Sequence, residues 1–145
     1  MKVTILDCPE GQEEEIIVKC CALDDRLVSL INSFKAKNEK LVFYKGENMV
    51  FIDQKDIFYI ESIDDLVFAY TTNGTFESKE KLYQLEQYLS PKSFMRANKS
   101  TILNLNQVKS LSPAFGSRFE AILKNECKII ISRNYVPVLK DMLGL

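Results

Sequence analysis

The chain is predicted to be mostly β with short helices, its strands pairing antiparallel, preceded by a small N-terminal β-β-α segment. Three observations predict this. From residue 41 onward, apolar and polar residues alternate in runs of strand length. Turn-forming residues separate those runs at short intervals, with Asn73-Gly74 the strongest such signal. Helical spacing is confined to three stretches, residues 24–37, 79–89 and 134–145.

Taken in order, KVTILD and EEIIVKCCAL read as two short strands around the turn-prone PEGQ. DDRLVSLINSFKAK then switches to helical spacing, with Leu27, Leu30, Ile31 and Phe34 on one face. Asp24 is a plausible N-cap, and Asp25 sits in the first turn, where a negative charge suits the helix dipole. A domain boundary is placed near residues 38–40. KLVFYKGENMVFID then reads as a hairpin around Lys45, Gly46 and Glu47, followed by the strands IFYIES and LVFAYTT. A tight turn at Asn73-Gly74 requires both residues to accept positive φ. KEKLYQLEQYL places Leu82, Leu85 and Leu89 on one helical stripe, with Ser78 as the candidate cap and Pro91 just past the end. TILNLNQVKSL, RFEAILKN and CKIIISRN supply three further strands, the last two joined at Asn125-Glu126. NYVPVLKDMLGL closes the chain as a short helix, with Pro137 tolerated in its first turn.

The 145 residues are enough for one well-cored domain with a short appendage, and 46% apolar content excludes wholesale disorder. No apolar run approaches the roughly 18 to 20 residues needed to cross a bilayer, and MKVTILDCPEGQEEE lacks the core of a secretion signal, so a cytoplasmic location is expected. The absence of histidine removes the commonest catalytic base and most zinc sites, and five glycines form no phosphate loop. No enzyme and no cofactor are expected. Ser78-Lys79-Glu80-Lys81 satisfies S-x-x-K without its companion motifs and reads better as a helix start. Cys8, Cys20, Cys21 and Cys127 lack C-x-x-C spacing, so buried reduced thiols are the expectation, with a redox pair of Cys8 and Cys20 or Cys21 as the alternative.

Charge is distributed unevenly. Residues 1–91 carry a net −7 and residues 92–145 a net +6, against −1 for the whole chain. A local basic patch can serve phosphate contact in a mildly acidic protein, because screening limits each charge to about 8 to 10 Å. Within that patch, FMRANKSTILNLNQVKSL gathers Arg96, Asn98, Lys99 and Ser100 at the mouth of an alternating strand. Such a cluster is either a hydrogen-bonded turn or a binding loop. Phe94, Ile102, Leu103 and Leu105 are core candidates, and Asn104 reads as a structural asparagine at a strand bend.

The order of landmarks from about Leu41 to the C-terminus resembles the LytTR DNA-binding domain of bacterial transcription regulators. They are IFYIES at 57–62, the turn TTNGTF, LYQLEQYL at 82–89, FMRANKSTILNL at 94–105 and SRNY at 132–135. The resemblance implies elongated antiparallel sheets that insert loops, not a recognition helix, into successive major grooves of double-stranded DNA. It places Asn98, Lys99 and Ser100 in one groove-entering loop and Arg133 in a second. Arg96 lies two residues before Asn98, so on an extended chain it is expected to face the same side. Chemically, lysine or arginine can donate to guanine O6 and N7, asparagine can pair with adenine, and serine can hold a phosphate. Asn134, Lys79 and Lys81 read as backbone contacts or bystanders. Asn98 stands where many members carry histidine, so the imidazole's contact there is either replaced by amide chemistry or absent, and the acidic Asp64-Asp65 turn is expected not to touch DNA.

Residues 1–40 fall outside that resemblance and are too few for a phosphorylatable receiver, so a stand-alone regulator is expected. They are assigned to dimerisation, packing or signal input. The partners expected are DNA, a second copy of the chain on that DNA, and a small membrane protein. The competing reading is a protein-interaction module without DNA affinity, or a redox- or partner-regulated form of the same regulator.

Overall fold

A computed structural model describes residues 2–38 and 40–145, and the side chains of all of these except 32–38. The predicted N-terminal strands do not form. Residues 2–24 contain a turn and bends but no strand, and their side chains are exposed. Their apolar residues, Val3, Ile5, Ile16 and Ile17 among them, find no sheet to join, and a strand without partners leaves its backbone to water. The helix does form, as α1 (Asp25–Asn38). Asp24 caps it by accepting from the Leu27 amide at 2.9 Å. Leu27 and Ile31 are half-buried while Leu30 is 43% exposed, so the expected apolar face is only partly covered. The side chain of Phe34, expected on that face, and residue 39 at the expected domain boundary lie outside what is described.

From Leu41 the predicted β architecture is present. Strands β1 (Leu41–Lys45), β2 (Asn48–Ile52), β3 (Ile57–Ile63), β4 (Leu66–Thr71), β5 (Gly74–Ser78), β6 (Phe94–Asn98) and β7 (Thr101–Asn104) form one sheet in the order β2-β1-β5-β4-β3-β7-β6. Strands β8 (Val108–Ala114), β9 (Arg118–Leu123) and β10 (Lys128–Ile131) form a second, ordered β10-β9-β8. Every pairing is antiparallel.

Two hydrophobic cores cover the two faces of the larger sheet's centre. The first gathers Phe43, Ile57, Ile60, Ala69 and Ile102 with the leucines of α2 (Leu82–Leu85). The second gathers Phe58, Tyr59, Met95, Ala97 and Leu103 with Ala121, Ile131 and the inner face of α3 (Val136–Leu143). A strand covered on both faces must be apolar at consecutive positions, which is why β3 reads IFYI without alternation. A bulge between Ile57 and Tyr59 turns both Phe58 and Tyr59 toward the second core.

Several local expectations are corrected. The β4–β5 hairpin pairs Thr71 with Gly74, so its loop residues are Thr72 and Asn73, and of the pair Asn73-Gly74 only Gly74 has positive φ. The Thr71 hydroxyl builds this turn, accepting from the Asn73 amide and donating to the Gly74 carbonyl. The turn whose two central residues are both left-handed is instead Asp64-Asp65. The α2 segment is one helical turn, not a helix over residues 79–89, although Leu82, Leu85 and Leu89 are all buried. Ser78 does not cap it, because its hydroxyl is engaged with the Glu80 backbone and Gln84 Oε1 accepts from the Lys81 amide at 2.8 Å. TILNLNQVKSL is not one strand but two, β7 and β8, separated by a single tight turn over Leu105–Gln107. Asn104 makes that bend, donating to the Ile57 carbonyl at 2.8 Å and accepting from the Asn106 amide at 3.0 Å. Cys8, Cys20 and Cys21 are exposed, against the expectation of buried thiols, because their segment does not pack on either core.

Candidate nucleic-acid interface

The polar cluster at the mouth of β7 is the tip of the β6–β7 hairpin. Asn98 pairs with Thr101, which leaves Lys99 and Ser100 as a two-residue turn with both side chains exposed. The backbone of this tip is held from several sides. Asn98 Oδ1 accepts from the Ser100 amide and from its hydroxyl, each at 3.0 Å. Arg96 Nη1 donates to the Lys99 carbonyl at 2.7 Å, and the Ser62 amide of β3 donates to the Ser100 carbonyl at 2.8 Å. The Lys99 ammonium has no partner among the described residues.

Two hydrogen bonds join this hairpin to the end of β10. Asn98 Nδ2 donates to the Ile130 carbonyl at 3.0 Å, and the Ser132 amide donates to the Ala97 carbonyl at 2.8 Å. The larger sheet's edge strand β6 therefore lies against the smaller sheet's edge strand β10. Beyond Ser132 the chain makes one tight turn, Arg133–Tyr135, that exposes Arg133 and Asn134 while Tyr135 packs on the second core. Lys99 and Arg133 thus lie within two residues of the same junction. Arg133 and Asn134, like Lys99, have no side-chain partner among the described residues.

Two predicted site residues are occupied differently from the sequence reading. Arg96 and Asn98 do not face the same side: the register shifts between them, and Arg96 reaches Glu86 beyond α2 whereas Asn98 reaches β10. Both are committed to internal bonds. Ser100 likewise donates its hydroxyl to Asn98. The groups left to meet a ligand are the Lys99 ammonium, the Arg133 guanidinium and the Asn134 amide.

Surrounding charges sort in the same way. Lys79 lies over the Tyr44 ring at 4.1 Å and Lys81 donates to the Asp65 carbonyl at 3.1 Å. Lys109 and Lys128 pair with Glu126 and Glu120 at 2.8 and 3.3 Å. Lys92, Arg118, Lys124 and Lys140 are exposed without ion pairs among the described residues. The Asp64-Asp65 turn stands beside the Lys99 tip, since Glu61 pairs with Thr101 and β3 runs on past Ser100. Sequence reasoning missed Glu86 as the partner of Arg96. The only signal was its place in LYQLEQYL, ten residues before Arg96, where no local pattern links the two.

The model of the LytTr DNA-binding domain family matches residues 47–144. A solved LytTr DNA-binding domain of a putative methyl-accepting/DNA response regulator from Bacillus cereus superposes with a TM-score of 0.70 at 22% identity, covering 74% of this chain and 99% of that one. The sensory transduction protein LytT of Bacillus anthracis is 33% identical over 110 residues, 76% of this chain and 45% of its own length. LytT of Bacillus subtilis is 28% identical over 94% of this chain and 56% of its own. The chain therefore spans about half the length of these relatives. A Staphylococcus aureus (strain MSSA476) protein described as an uncharacterized HTH-type transcriptional regulator is 28% identical over 100% of this chain and 99% of its own. On the match over residues 47–144, the chain belongs to the LytTr DNA-binding domain family.

Proposed function

We propose that the chain is a sequence-specific duplex-DNA binder that regulates transcription, with Lys99 and Arg133 reading base edges in the major groove. The observation that carries this is the pair of unpartnered cations beside one junction, where the side chains of Arg96, Asn98 and Ser100 are already bonded. Lysine and arginine are the donors suited to guanine O6 and N7. Asn134 and the free Lys92, Arg118, Lys124 and Lys140 supply phosphate contacts. The helices after residue 40 favour loops as the readers: α2 is one turn, and α3 commits Val136 and Leu139 to the core. No catalytic role belongs to this reading.

The cytoplasm is the compartment in which such a regulator meets its DNA, and no helix among the described residues is long and apolar enough to cross a membrane. The exposed apolar side chains of residues 2–31 support a protein partner at that end. A second copy on the DNA is the first candidate and a small membrane protein the other.

The test is selection of bound duplexes from a random pool with the full chain. A single preferred sequence is expected, bound with log K falling by about 0.9 per neutralised phosphate for each decade of salt. Lys99→Ala and Arg133→Ala should each weaken that binding by about 1 to 3 kcal/mol without loss of fold. Unchanged affinity in the folded double variant refutes the assignment of readers, and a flat salt response returns the protein-interaction module.

A further inference from the structure

The guanidinium of Arg96 is engaged at two points: Nε faces Glu86 Oε1 and Nη1 donates to the Lys99 carbonyl at 2.7 Å. We propose that Glu86 is a positioning residue for the reading tip, acting through Arg96; this rests on the reading role given to Lys99 above. The Lys99 carbonyl and the Ser100 amide belong to one peptide group. Arg96 holds its oxygen, and Asn98 holds its N–H at 3.0 Å. That peptide fixes the backbone angle from which the Lys99 side chain departs. A guanidinium is planar with its donors in a fixed fork, so anchoring one edge on a carboxylate orients the other.

The ion pair contributes little to global stability, because the side chains of Arg96 and Glu86 are 20% and 41% exposed. Its environment is nonetheless apolar on one flank. Both residues line a cleft of about 190 Å³ whose other walls include Leu89, Phe94 and Ile102. Glu86 also keeps the Arg96 charge occupied. Without it, Arg96 is released to whatever phosphate lies near, which strengthens contact with any duplex and loosens the tip that distinguishes one from another.

The experiment compares Glu86→Gln with Glu126→Gln. Glu126 pairs with Lys109 at 2.8 Å, so the second variant removes the same charge away from the tip. The Ser100 amide exchange rate is measured in the free protein, and affinity is measured for the duplex selected by the wild type and for a scrambled duplex of equal length. In Glu86→Gln the Ser100 amide should exchange faster. The selected-to-scrambled affinity ratio should fall about fivefold, the scale of one ordinary hydrogen bond. The salt dependence for the scrambled duplex should steepen by up to about 0.9. Glu126→Gln should leave both the exchange rate and the ratio unchanged. Equal Ser100 exchange in the two variants, or an unchanged ratio with faster exchange, overturns the proposal. A wild type that does not discriminate between duplexes refutes the DNA reading instead, and amide exchange alone then decides whether Glu86 holds the tip.

Discussion

Replacing Asn98 separates two accounts of its role. In the fold it makes three hydrogen bonds, two within the tip and one across to Ile130, each at 3.0 Å. All three lie near solvent, so water replaces part of what is lost and each is worth about 0.5 to 1 kcal/mol. The Ser100 hydroxyl can rotate to water, which leaves two bonds that count fully. Asn98→Ala should therefore lower unfolding stability by about 1 to 2 kcal/mol. At roughly 4 °C per kcal/mol for a domain of this size, the melting temperature falls by about 4 to 8 °C. Asn98→Asp keeps the two acceptor contacts in the tip and loses the donor to Ile130, so it should fall between the wild type and Asn98→Ala. Urea unfolding monitored by circular dichroism supplies the stability, and duplex binding is measured on the same samples. Wild-type stability in Asn98→Ala, accompanied by lost discrimination at one base pair, would refute the tether and restore Asn98 as a reader.

Asn104 is 1% exposed, and Asn104→Ala strands the Ile57 carbonyl in the core while the exposed Asn106 amide turns to water. A loss of about 2 to 3 kcal/mol in denaturant unfolding is expected, and a loss below about 0.5 kcal/mol would contradict the bonding described. Tyr59 stacks on Tyr70 with ring centroids 4.3 Å apart, and burial raises the phenol well above its ordinary value of 10.0. The unfolded chain then ionises first, so this contribution is intact below pH 10.0 and is lost as pH rises above it. Tyr59→Phe should flatten the alkaline decline in stability, and an unchanged decline would assign it to other groups.

Much of the fold was legible in local pattern. The β1–β2 hairpin, the β3 and β4 strands, the Asp24 cap and the terminal helix with Pro137 in its first turn all stand where periodicity and turn chemistry place them. What failed did so for identifiable reasons. KVTILD and EEIIVKCCAL have the residue types of strands, but residue type names no pairing partner, and neither segment joins either sheet. TILNLNQVKSL keeps its alternation through the bend because Asn104 supplies the turn from inside the pattern. Asn73-Gly74 carries a hairpin signal one position out of register, since the Thr71 hydroxyl organises a different turn.

The candidate site divides along the same line. Residue order alone determined which polar side chains cluster, because Arg96, Asn98, Lys99 and Ser100 are neighbours in the chain. Which of them remain available for a ligand was decided by tertiary contacts, from Glu86 ten residues upstream and from Ile130 thirty-two residues downstream. Hydrogen-bond capacity is finite, so a partner brought in by folding removes a side chain from the surface chemistry that its type suggests. Lys99 and Arg133 stay free because folding brings them to one junction without setting a carboxylate at ion-pair distance from either among the described residues.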